Sequence, residues 1–86
     1  NPKQPDALMQ MAELAQEGGN GLQARAFLER YTAVAPVTAA TLWLGRNIEL
    51  GLGDAAQAAR YSQRLKNEFP TSEEASRLFE AERAKP

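Results

Sequence analysis

Gly53-Asp54-Ala55-Ala56-Gln57-Ala58-Ala59-Arg60-Tyr61 decides the fold once it is laid over Gly19-Asn20-Gly21-Leu22-Gln23-Ala24-Arg25-Ala26-Phe27. Each stretch opens with a glycine, which tolerates the left-handed backbone that a helix end favours. Asn20 or Asp54 follows as a helix N-cap, with Gln23 or Gln57 three residues on in capping-box register. Ala24 and Ala58 then stand where two antiparallel helices cross closely, and an aromatic ring closes each run. The two stretches lie 34 residues apart, and the same offset relates Leu8 to Leu42, Arg30 to Arg64, and Pro2 to Pro36 to Pro70.

Working outward, Pro36 and Pro70 end the second helix of each pair, because proline cannot continue it. The pattern predicts five helices and no strand, over residues 6–17, 22–34, 38–52, 55–68 and 72–84. The fifth opens with Thr71-Ser72-Glu73-Glu74, a further capping-box pattern. Core stripes are expected at Leu8, Met11, Ala12 and Ala15, then at Ala24, Phe27, Leu28 and Tyr31. They continue at Leu44, Gly45, Ile48 and Leu52, at Ala58, Ser62, Leu65 and Phe69, and at Ala75, Leu78 and Phe79. Residues 5–38 and 39–71 read as two repeats. Residues 72–86 read as a closing helix and tail, and 1–4 as the end of a preceding repeat or a linker, with Pro2 in its terminal-proline phase.

Composition narrows the function classes. At 86 residues with 43% hydrophobic and 24% charged, the chain suits one small folded domain. The net charge of −1 and the lack of a Lys/Arg stripe argue against a nucleic-acid partner. No Cys or His is present, which removes thiol nucleophiles, imidazole bases and soft-metal sites. No apolar run approaches a membrane span, so direct membrane insertion is not expected. No catalytic residue, cofactor or metal site is expected either. Glu13, Glu17 and Glu49 would count as catalytic carboxylates only around a convergent pocket, and Arg25 with Glu29 reads as an ordinary helix-surface pair.

A 34-residue helix-turn-helix period resembles the tetratricopeptide repeat (TPR). The resemblance implies an all-α TPR solenoid of two repeats plus a C-terminal closing helix, acting as a protein–protein interaction scaffold. Three stretches carry a closer likeness: Gln23-Ala24-Arg25-Ala26-Phe27-Leu28-Glu29-Arg30-Tyr31, Leu42-Trp43-Leu44-Gly45 and Gly53-Asp54. Together with the run 60–70 they resemble the C-terminal part of the type IV pilus biogenesis/stability lipoproteins, the pilotin family. That likeness implies a lipid-anchored protein on the periplasmic face of the outer membrane. It also implies a pilus secretin as partner, assisted in its localisation or assembly. A cytoplasmic adaptor is the alternative.

TPR arrays bind along a concave groove lined by the first helix of each repeat. The groove-facing phases hold Met9, Glu13 and Gln16 in the first repeat and Trp43, Asn47 and Leu50 in the second. Trp43 fits either core or groove, because Leu-Trp-Leu-Gly compresses the usual Trp-x-x-Leu-Gly pattern. A carboxylate clamp is not expected, since of these positions only Asn47 suits one. The groove is expected to bind a protein or peptide segment mainly by apolar contact. Homo-association through the upstream end is a second expectation.

Overall fold

Five helices follow one another in the computed structural model, which describes residues 4–84. They are α1 (Gln4–Glu17), α2 (Gly21–Val34), α3 (Ala39–Leu52), α4 (Ala55–Glu68) and α5 (Glu73–Arg83), with no strand among the described residues. Pro2 and the rest of segment 1–3 lie outside the described residues, and α1 already begins at Gln4. The tight turns after α1 and α3 fold each following helix back against its predecessor, giving the pairs α1–α2 and α3–α4.

Gly19 and Gly53 carry the only positive φ angles among the described residues, 78° and 81°, as the helix-end reading requires. Asn20 and Asp54 accept the backbone N–H of Gln23 and Gln57 at 3.4 and 3.0 Å. The reciprocal half of the expected box is not made. Gln23 Oε1 instead accepts from the Asn20 amide at 2.9 Å, and Gln57 Oε1 from Arg60 at 3.4 Å. The complete box belongs to α3, where Thr38 and Thr41 exchange bonds of 2.7 and 3.2 Å. In α5, Ser72 alone caps, accepting from Ala75 N at 3.0 Å, so Thr71 and Glu74 form no box.

The core forms two clusters. Ala12, Ala24 and Leu28 of the first repeat close around Leu44 and Ile48 of α3. Leu42 and Leu65 of the second repeat close around Ala75 and Leu78 of α5. Each fully buried Leu or Ile contributes roughly 1.5–3 kcal/mol. The half-buried Tyr61 packs against both clusters, and α3 touches all four other helices. Gly45 is small for a reason: a Cβ there would lie 2.6 Å from the Tyr61 ring.

Two expected core residues are exposed. Met11 is 45% accessible, because no helix among the described residues covers that side of α1. Phe79 is 47% accessible and carries the Lys66 ammonium 5.8 Å from its ring centre. Glu49, by contrast, is only 3% accessible. Arg25 turns away from Glu29 and grips Glu49 across the repeat boundary through two bonds, Nε–Oε2 at 3.0 Å and Nη2–Oε1 at 2.5 Å. This bidentate geometry holds the Arg25 guanidinium above its ordinary range.

Candidate partner-binding cleft

The box at Thr38 and Thr41 sets the start of α3, and so the phase in which Trp43 and Asn47 leave the helix. Both line a cleft shared with α1. There they meet Glu13, Gln16 and Glu17, one helical turn apart on a single face. The first turns of α5 add Glu74 and Arg77 from the other side, and Ala40 and Leu44 complete a cleft of about 300 Å³.

Trp43 is both things the sequence left open. It is half-buried, with part of its surface packed against the Leu42–Leu65–Leu78 cluster and part facing the cleft. Its ring and the adjoining amide are held in place by their neighbours. The Arg46 guanidinium lies 4.9 Å from the ring centre and donates to Asn47 Oδ1 at 2.8 Å. Gln16 Nε2 donates to the Asn47 backbone carbonyl at 3.3 Å, tying α1 to α3.

Four of the six groove positions, Glu13, Gln16, Trp43 and Asn47, line this one cleft. The other two lie elsewhere. Met9 packs against the first core cluster. Leu50 lines a separate cavity of about 260 Å³ with Arg46, Ala58, Ser62, Lys66 and Glu82. The two cavities meet opposite ends of α5, which gives Glu74 and Arg77 to the first and Glu82 to the second. The lining also departs from the apolar expectation, with three carboxylates around the indole. Glu74 and Arg77 were missed because α5 read only as a closing helix. The 34-residue offset held the signal, since it carries Trp43 onto Arg77.

Antiparallel helix pairs stacked with a shared period, with an aromatic-floored cleft on one side, define a helical-repeat solenoid. The tetratricopeptide repeat family matches twice, over residues 6–36 and 39–72. The chain belongs to that family. Its members bind proteins or peptides and are typically scaffolds without catalytic chemistry. No curated protein and no solved structure matches the chain. No helix among the described residues is long and apolar enough to cross a membrane.

Proposed function

We propose that the chain is a protein-interaction module whose α1–α3–α5 cleft receives a segment of its partner, anchored on Trp43. The observation that carries this is a half-buried tryptophan open on one side, oriented by Arg46 in a concave lining from three helices. Tryptophan is enriched among residues that dominate binding energy, and a pre-oriented ring loses little freedom on binding. The reading extends to type IV pilus biogenesis. The strings around Gln23–Tyr31, Leu42–Gly45 and Gly53–Asp54, with the run 60–70, support a pilotin role. In that role the module assists a pilus secretin to reach or assemble in the outer membrane, from its periplasmic face.

Trp43→Ala tests the cleft, and cells lacking the protein test the pilus role. The fold should survive by circular dichroism, while partner affinity falls roughly thirtyfold, about 2 kcal/mol. A folded variant that binds its partner at full strength removes the cleft from the reading. Unchanged secretin multimers in cells lacking the protein remove the pilus role and leave a general TPR adaptor.

A second reading, self-association through the upstream face, is favoured by the exposure of Met11, Leu14 and Leu22. Met11 and Leu14 line a shallow cavity there with Phe27. Sedimentation of the wild-type chain against Leu14→Glu separates it from the first: a dimer lost in the variant supports it, and a monomer in both ends it.

A further inference from the structure

We propose that the cleft takes a cationic stretch of polypeptide, its Lys or Arg side chains meeting Glu13, Glu17 and Glu74 beside Trp43. This deepens the preceding reading and rests on it. The three carboxylates share one cavity, and none of them enters an ion pair among the described residues. The cation in the lining, Arg77, is already engaged: its Nη2 lies 2.6 Å from Glu73, which is not part of the lining. The cleft therefore keeps an excess of negative charge in a protein that is nearly neutral overall.

Gln16 points the same way. It donates one of its two N–H groups to the Asn47 carbonyl and still offers its side-chain oxygen as an acceptor. The Arg46 guanidinium, which is outside the lining, already lies 4.9 Å from the Trp43 ring centre, so the draw on an incoming cation comes from the three carboxylates rather than from the ring. An acidic segment would set like charges against each other here, and a wholly apolar one would strip water from carboxylates without replacing their hydrogen bonds. A lysine or arginine satisfies both requirements, and the alkyl part of its side chain has the indole to pack on.

Trp43 is the single tryptophan, so its emission reports on the cleft directly. The whole 86-residue chain would be titrated with three flexible nine-residue peptides of one length: one bearing Lys and Arg, one bearing Glu, and one bearing Leu and Ser. Amide NMR would map each bound site. The basic peptide should shift the Trp43 indole and the amides of 13–17, 43–47 and 74–77. Its affinity should fall at least about tenfold in the triple variant Glu13→Gln, Glu17→Gln, Glu74→Gln, with circular dichroism unchanged. It should also weaken as salt rises from about 0.01 to about 0.15 M. The inference is overturned if the basic peptide leaves the cleft unperturbed, if the triple variant binds it as tightly, or if either other peptide matches it. A neutral peptide bound at Trp43 would leave the cleft reading intact. Shifts confined to the Leu50 side would overturn that reading as well.

Discussion

α1 and α3 are the same element of successive repeats, yet they live in different surroundings. The 34-residue offset sets Leu14 against Ile48; Leu14 is 67% accessible and Ile48 is 0%. It sets the exposed Met11 against Gly45, whose place beside the Tyr61 ring leaves no room for a side chain. Ile48 is buried because it plugs the crossing of α1 and α2 through Ala12, Ala24 and Leu28. Leu14 has no such pair to enter among the described residues. In a stacked array, burial follows a residue's place in the stack as much as its chemistry.

The largest expected contrast comes from truncating that matched pair. Ile48→Ala empties a fully buried site and should cost about 2–5 kcal/mol. Leu14→Ala should stay within about 0.5 kcal/mol. Urea unfolding of the two variants measures both, and equal losses would mean that α1 is covered as α3 is.

A smaller contrast tests the helix crossings. Both crossing alanines are buried, but Ala24 lies inside the first cluster while Ala58 borders the cavity next to Ser62 and Glu82. Ala24→Leu should therefore lose about 1–3 kcal/mol through overpacking. Ala58→Leu has space to grow into and should lose less than about 1 kcal/mol. Equal melting-temperature drops would show that the cavity closes in solution.

The smallest effect separates Phe27 from its counterpart Tyr61. Burial, helped by the charge of Glu49, raises the Tyr61 phenol above its ordinary value near 10. The folded chain thus holds this proton more tightly than the unfolded chain does. That contribution is complete below the unfolded value and is lost as pH rises through the higher folded one. Tyr61→Phe, which gives the second repeat the residue of the first, should flatten the fall in stability above about pH 10. Alkaline unfolding curves that superimpose for wild type and variant would contradict it.

The helices, their glycine ends and the N-cap positions were legible because each rests on residues three or four apart, repeated once. The Thr38–Thr41 box was not, since threonine at the second position does not follow the Ser/Thr-x-x-Glu/Gln pattern. Arg25 was assigned to Glu29 because local spacing favours it; its true partner, Glu49, lies 24 residues away and is brought near only by packing between repeats. Likewise Trp43 and Leu50 share a helical phase, and only the placement of α4 and α5 assigns them to different cavities.

The Arg25–Glu49 clasp bears on whether these repeats are interchangeable parts. Shifted by one period, its two positions hold Ala59 and Arg83, so the pair occurs at the first junction and not at the second. An array made by copying the second repeat end to end would set Ala59 against Glu49 at every new joint. Each joint would then shut a carboxylate away from water with no cation to meet it, a strongly unfavourable arrangement. Lengthening this solenoid by cut-and-paste therefore requires that residues 25 and 49 travel together, as one coupling spanning two modules.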